Sequence, residues 1–277
     1  MNKQLNMRLL RYLIPVVAIV SMFFVTRKEQ TADTRIAHAR DYAEIAAEGM
    51  LRVATEYNAI SFFIQGDTCS GFHYELIQAF AHSKGLKTSI TPVMSIEERL
   101  NGLAEGVYDL IATNIQVTNE LKDSLLLTTP IVRNKQVLVQ RKKQSDKDST
   151  FIDNQLQLAK YTVHVVKGSP SMMRIQNLSE EIGDTIFIKE IEKYGPEQLI
   201  SMVAHGDIDY AVCEESIAKI MADSLPQIDI QTPISFTQFY AWAVSKQSPA
   251  LLDSLNTWLD GFQKSKEYRQ LYRKYYK

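Results

Sequence analysis

Cysteine is scarce in this chain: Cys69 and Cys213 are the only two among 277 residues. They lie far apart, so neither a disulfide framework nor a thiolate metal site is expected. The five histidines, His38, His73, His82, His164 and His205, are scattered without ligand spacing, and no metal or cofactor is expected. An excess of one charge is missing as well. Lysine and arginine number 31 against 32 acidic residues, a net charge of −1. With no basic patch interleaved with aromatics, nucleic acid is excluded as a partner. The run Arg141-Lys142-Lys143 reads as a solvated loop. A glycine-rich phosphate loop and a Ser–His–Asp arrangement are also lacking.

Long apolar runs are confined to one place. Leu9 to Val25 is apolar apart from Arg11, Tyr12, Pro15 and Ser21, and it follows Lys3 and Arg8. A bilayer-spanning helix takes about 20 apolar residues, so this segment stands at the short limit. Phe23, Phe24 and Val25 run into Thr26 and Arg27 with no small-residue cleavage site, and no cysteine follows to carry a lipid. Residues 1–26 therefore read as a signal anchor, a single transmembrane helix in the inner membrane with the main body in the periplasm. Residues 27–50 read as a polar, alanine-rich tether, helical from Asp33 to Glu48 and stopped by Gly49.

What the chain has is a repeated plan. Gly102-Leu-Ala-Glu-Gly-Val-Tyr-Asp-Leu-Ile-Ala-Thr-Asn114 and Met202-Val-Ala-His-Gly-Asp-Ile-Asp-Tyr-Ala-Val-Cys-Glu214 match in layout. In each, an amphipathic helix stops at a glycine (Gly106, Gly206), two residues intervene, and an aspartate (Asp109, Asp209) opens a short apolar strand ending in polar side chains. Ligands of open α/β sheets bind at the carboxyl ends of strands. Two such edges predict two α/β lobes facing across a cleft, with Cys69 and Cys213 in different lobes.

Punctuation and periodicity predict strands at Leu51–Thr55, Thr88–Pro92, Asp109–Thr113, Ile131–Gln140, Thr162–Val166, Thr185–Lys189, Tyr210–Cys213 and Phe236–Ser245. Helices are predicted over Phe72–Lys84, from the cap Ser95 to Gly106, from Ser169 with Pro170 in first position, over Pro196–His205 and over Glu214–Asp223. The end reads as helix, with Leu251, Leu255, Trp258, Leu259 and Phe262 on one face continued by Tyr268, Leu271, Tyr272 and Tyr275.

Leu51-Arg-Val-Ala-Thr55, Gly71-Phe-His-Tyr-Glu-Leu-Ile-Gln-Ala-Phe-Ala81, Thr118 to Pro130, Val163-His-Val-Val-Lys-Gly-Ser169 and Gly206-Asp-Ile-Asp-Tyr-Ala-Val212 together resemble the bacterial extracellular solute-binding proteins of the amino-acid-binding type, family 3. Within that group the chain is similar to the binding domain of membrane-bound lytic transglycosylase F, through Gly-Phe-x-Tyr-Glu-Leu and the pair Phe62–Phe63. The resemblance implies a type 2 periplasmic-binding-protein-like fold. Lobe 1 would comprise residues 51–136 and 237–277, and lobe 2 residues 137–236, with hinges around Arg133–Gln140 and Phe236–Val244. It implies ligand contacts from Thr113, Asn114 and Gln116, from Gly168, Ser169 and Pro170, and from Glu214.

Two positions depart from the family pattern. Leu121 stands three residues after Thr118, where relatives place an arginine that pairs in bidentate fashion with a ligand carboxylate. Pro170 stands where relatives offer a backbone N–H, which proline lacks. Both changes count against a free α-amino acid as ligand. The expected site is Tyr57, Asn58, Phe62, Phe63, Thr113, Asn114, Gln116, Ser169 and Glu214, aromatics with a few polar groups suited to a peptide, muropeptide or amino-acid-like solute.

The expected function is capture of that small-molecule ligand by hinge closure, in a monomer serving an ABC permease or a cell-wall enzyme. A regulatory module that binds a partner protein is the alternative. Enzymatic activity is not expected. Glu215–Ser216 has the composition of a transglycosylase acid–base pair but reads as the start of a helix. Glu214 alone is thin support for a dehydratase-like acid.

Overall fold

The structure, a computed structural model, describes residues 38–145 and 148–276. The expected anchor lies outside the described residues, and among these no helix is long and apolar enough to cross a membrane. Of the helix expected over Asp33–Glu48, Asp33 to Ala37 lie outside the described residues. Within them the helix spans Tyr42–Glu48 (α1), because Asp41 caps it in a reciprocal box with Glu44, and it ends at Gly49 in the left-handed conformation.

The chain then builds two sheets of the same design. Strands β1 (Met50–Thr55), β4 (Lys87–Pro92) and β5 (Leu110–Gln116) run parallel in the order β4-β1-β5, with a hairpin of β2 (Phe63–Gln65) and β3 (Thr68–Ser70) between β1 and β4 in sequence. Helix α2 (Phe72–Ser83) buries Phe72, Leu76, Ile77 and Phe80, the stripe expected of a 3.6-residue period. Helix α3 (Ile96–Ala104) is capped by the Ser95 hydroxyl, which accepts the Glu98 N–H at 3.2 Å. A short helix α4 (Asn119–Ser124) and strand β6 (Leu125–Leu127) follow.

The strand expected over Ile131–Gln140 is two strands. β7 (Val132–Asn134) pairs with the first sheet, and β8 (Gln136–Arg141) belongs to the second. Lys135 marks the transfer. Alternation of apolar residues persists through it because both pieces are buried, which is why one continuous strand was the natural reading.

The second sheet repeats the plan. β9 (Thr162–Val166) lies between β10 (Phe187–Ile191) and β11 (Tyr210–Glu214), all parallel, with β8 antiparallel to β11 and a short β12 (Ile228–Asp229) beyond it. β10 begins two residues later than expected from Thr185. Its helices are α5 (Pro170–Ile182), α6 (Pro196–His205) and α7 (Glu215–Ser224). The chain returns through β13 (Gln238–Ser245), which lies antiparallel to β5, β6 and β7 in the first sheet.

The terminal helix is broken into α8 (Pro249–Phe262) and α9 (Lys266–Tyr275), because Ser265 caps a new helix by accepting the Tyr268 N–H at 3.0 Å. α9 lays its tyrosines over Phe72, with Tyr268 and the following Tyr276 at ring distances of 6.2 and 5.0 Å. Cys69 is half-buried and Cys213 buried, and both are free thiols.

Candidate functional site

In both sheets the first strand sits between the second and third, so adjacent connections leave in opposite directions. That is the switch point at which α/β sheets open a crevice beyond their strand ends. Glu56 and Asn58 follow β1, Asn114 lies near the end of β5, Ser169 and Pro170 follow β9, and Glu214 ends β11. Four of the expected residues, Asn58, Asn114, Ser169 and Glu214, meet around one cavity of about 90 Å³, joined by Glu56, Arg99, Gln136 and Tyr240.

Asn114 and Glu214, exactly one hundred positions apart, join the two sheets. Asn114 Nδ2 donates to Glu214 Oε2 at 2.5 Å, and Asn134 Nδ2 donates to the same oxygen at 2.9 Å and to Ser216 Oγ at 2.8 Å. The direction of the Asn114 bond is set from behind. Trp242 Nε1–H, which can only donate, lies 2.9 Å from His73 Nδ1, so that nitrogen accepts and the imidazole proton resides on Nε2. His73 Nε2 then donates to Asn114 Oδ1 at 2.9 Å, and the Tyr276 hydroxyl donates to the same atom at 3.1 Å. With its oxygen so engaged, Asn114 presents its NH2 to Glu214. Burial holds His73 down to about 4 despite the opposing Asn114 bond, in keeping with a neutral ring wedged under a donor.

The electrostatics of the cavity are acidic. Burial pushes Glu214 up to about 8, against the Asn114 and Asn134 bonds that favour its charge and with the help of Glu56. Both bonds fall on Oε2, and among the described residues none is made to Oε1. Burial also raises Glu56, opposed by Arg99, whose Nη2 lies 3.7 Å from Glu56 Oε2. Glu197, at the start of α6, is raised by burial and again by Glu56, while its Oε1 accepts the Ala59 N–H across the lobes at 2.9 Å. Arg99 is the cationic side chain of this lining, and its Nη1 is spent on the carbonyls of Val93 and Met94. Among the described residues no hydrogen bond of good geometry reaches the buried Gln136 Oε1, Tyr240 OH or Ser169 Oγ, and the Tyr240 hydroxyl and the Gln136 side chain lie beside each other.

The remaining expected residues lie elsewhere. Tyr57 and Phe63 line a second, open groove of about 1140 Å³, which also touches Asn58, Lys219, Tyr272 and Tyr276. Phe62 is buried and packs edge-on against Tyr57 at 6.1 Å and tilted against Tyr74 at 5.6 Å. Thr113 is buried in β5, and Gln116 ends that strand with an unpartnered Oε1; neither borders the small cavity. Leu121 packs on the cluster of Ala54, Leu103, Ile111, Leu125 and Ala243. Pro170 borders the small cavity as the first residue of α5, and Glu215–Ser216 opens α7, with Glu215 paired to Lys135 at 3.4 Å and Lys219 at 3.6 Å.

Glu56, His73, Arg99, Asn134, Gln136, Glu197 and Tyr240 escaped the sequence reading. Glu56 was within reach, since it follows β1 at the same strand edge as Tyr57. Gln136 and Tyr240 lie on the strands next to the crossings between sheets, a placement visible only once β7 and β8 are told apart. His73, between Phe72 and Tyr74 on a helix, carries no local signal.

Residues 51–277 match the bacterial extracellular solute-binding proteins, family 3. Similar curated proteins include membrane-bound lytic murein transglycosylase F of Desulfosudis oleivorans, 29% identical over 235 residues, covering 84% of this chain and 50% of that protein. The protein of the same name from Photobacterium profundum is 26% identical over 240 residues, covering 85% and 45%. The chain thus spans about half the length of these relatives. Among solved structures, a mutant of ArgBP from T. maritima superposes with a TM-score of 0.73 at 23% identity, covering 84% of this chain and 98% of that one. The ancestral amino acid-binding protein AncCDT-1, a precursor of cyclohexadienyl dehydratase, gives 0.70 at 24% identity, covering 85% and 98%. These likenesses establish the two-lobed periplasmic-binding-protein-like fold. With a family match running from the first strand to the C-terminus, the chain belongs to the bacterial extracellular solute-binding proteins, family 3.

Proposed function

We propose that this protein captures a small polar ligand between its lobes by hinge closure and performs no catalysis. The observation that carries the reading is the junction of the two strand edges. Glu214 from one sheet and Asn114 from the other meet beside buried polar atoms, Gln136 Oε1 and Ser169 Oγ, that have no partner among the described residues. Buried polar groups are almost always satisfied, so orphaned ones lining a cavity mark a place for another molecule. The lobes in this reading are residues 51–136 with 237–277, and 137–236. The transfers at Lys135 and before Gln238 serve as the hinge, and a ligand favours the closed state by touching both sides. Leu9–Val25 holds the protein in the inner membrane, with the lobes in the periplasm.

A second reading is favoured by one observation. The tyrosine-bearing groove of about 1140 Å³ is far larger than the cleft cavity, which suits a regulatory module docking a partner in cell-wall machinery. A thermal-shift screen of the full chain in detergent against amino acids, dipeptides, muropeptides, sugars and small amines separates the two. A ligand at a hundred times its Kd should add about 2.7 kcal/mol of stability. A saturable shift abolished by Asn114→Leu supports capture in the cleft; silence across the panel would sink it in favour of the partner module.

A further inference from the structure

Resting on the reading of solute capture, we infer that the cleft selects a small organic cation, an aliphatic primary amine without a carboxylate. The groups left open by the protein include two that can only accept, beside the hydroxyls of Ser169 and Tyr240, which serve either role. Glu214 Oε1 accepts no bond among the described residues, and Gln136 Oε1 is an acceptor without a partner in a residue only 2% exposed. Tyr240, 1% exposed, adds a hydroxyl that lies beside the Gln136 side chain and can turn to either role. An ammonium group carries three donors and a positive charge, which matches this set.

The charged means of holding a carboxylate are spent or missing. Arg99 is matched by Glu56 at 3.7 Å, and its Nη1 serves two backbone carbonyls. At the start of α5, Ser169 donates its N–H to the Val166 carbonyl at 3.1 Å, and Pro170 has none to give. Leu121 packs on an apolar cluster and offers no charge. A carboxylate entering this cavity would face Glu214 and Glu56, with no free cation among the described residues of its lining.

Size sharpens the class. A cavity of 150 Å³ accommodates benzene, so the roughly 90 Å³ found here has room for about four heavy atoms. That is the scale of a short alkylamine, or of the ammonium end of a longer one that keeps the lobes further apart.

The test is isothermal titration of the full chain in detergent micelles with propylamine, butylamine, glycine and propanoate. Glycine has as many heavy atoms as butylamine, so charge pattern and size are separated. The expected result is saturable binding of the amines, at least tenfold weaker binding of glycine and none of propanoate. Glu214→Gln should weaken amine binding at least tenfold while unfolding cooperatively at a melting temperature no lower than that of the parent at pH 8. Glycine or propanoate binding as tightly as butylamine would overturn the cation assignment and leave solute capture standing, as would amine binding untouched by Glu214→Gln. If none of the four binds but the broader panel yields a cleft ligand bearing a carboxylate, the cation assignment again falls alone. Failure of every compound removes both.

Discussion

The two copies of the strand–helix plan share their layout and differ in what surrounds them. Asp109 is 2% exposed and receives five bonds, from Arg40 Nε at 3.0 Å and Nη2 at 2.5 Å, from the Arg52 N–H at 2.8 Å, from Arg52 Nη2 at 2.8 Å and from Arg52 Nε at 3.4 Å. Asp209, at the matching position, is exposed and among the described residues meets only Arg141 Nη2 at 2.5 Å. The difference comes from the segment before α1. His38 and Ala39 pass directly over Gly106, whereas among the described residues the nearest atom over Gly206 is Arg141 Nη1. A motif that merely turns the chain in one lobe is, in the other, a buried ionic knot fastening the first strand to the segment that precedes it. At the far end of the same motifs the relation reverses: Asn114 and Glu214, also at matching positions, bond to each other.

Breaking the knot should have the largest effect. Removing one partner of a buried ion pair costs about 3–5 kcal/mol because the other charges are left uncompensated. Asp109→Ala leaves Arg40, which is 8% exposed, with only the exposed Glu48 carboxylate and deprives Arg52 of its partner, so a loss towards the lower end of that range is expected in denaturant melts. A loss under about 1 kcal/mol would mean that the segment at Arg40 detaches readily and that the two copies are energetically alike.

The junction of the copies gives the next effect, and its sign follows from Glu214. Its carboxyl sits at about 8 in the folded protein, above the ordinary 4.5. The folded state therefore binds a proton that the unfolded chain has released across that window. The stability so conferred is present in full below about pH 4.5 and is lost as pH rises through 8. Thermal melts should fall with pH over this range by on the order of 2–4 kcal/mol. Glu214→Gln, which keeps an oxygen for Asn114 and Asn134, should flatten that dependence. A slope unchanged in the variant would place the proton on another group, such as Glu56 or Glu197.

How far these features could be read from sequence depends on how local their causes are. The helix stops at Gly49, Gly106 and Gly206 were legible, since a left-handed turn after an amphipathic stripe nearly demands glycine. The placement of Asn58, Asn114, Ser169 and Glu214 around one cavity was legible because crevices in α/β sheets open beyond their strand ends. The Arg40–Asp109 pair spans 69 residues and had no local trace. The break at Lys135 was hidden by alternation that continues through it, and the break before Lys266 by an apolar face that both helices share. Tyr57 and Phe63 were rightly read as following β1, but the hairpin of β2 and β3 turns them away from the small cavity to the outer groove.

The glycines test the same comparison at smaller scale. Gly106 has φ +72° and Gly206 has φ +85°, so alanine at either should cost about 1–2 kcal/mol for the left-handed backbone alone. At Gly106 an added Cβ would also lie 2.2 Å from the His38 carbonyl oxygen, whereas at Gly206 its nearest neighbour is Arg141 Nη1 at 3.9 Å. Gly106→Ala is therefore expected to melt below Gly206→Ala, and equal melting temperatures would show that the His38 segment yields without cost.

The smallest effect belongs to Asp209. Its partner Arg141 also donates through Nη1 to the carbonyls of Val203 at 3.2 Å and Ile208 at 3.0 Å, so the guanidinium stays anchored when the carboxylate is removed. Exposed ion pairs contribute about 0–1 kcal/mol and are screened by salt. Asp209→Ala should shift stability by less than that, with the difference from the parent shrinking further at high ionic strength. If it instead costs as much as Asp109→Ala, the aspartate matters for the strand start itself rather than for the arginines around it, and the contrast drawn between the two copies fails at its root.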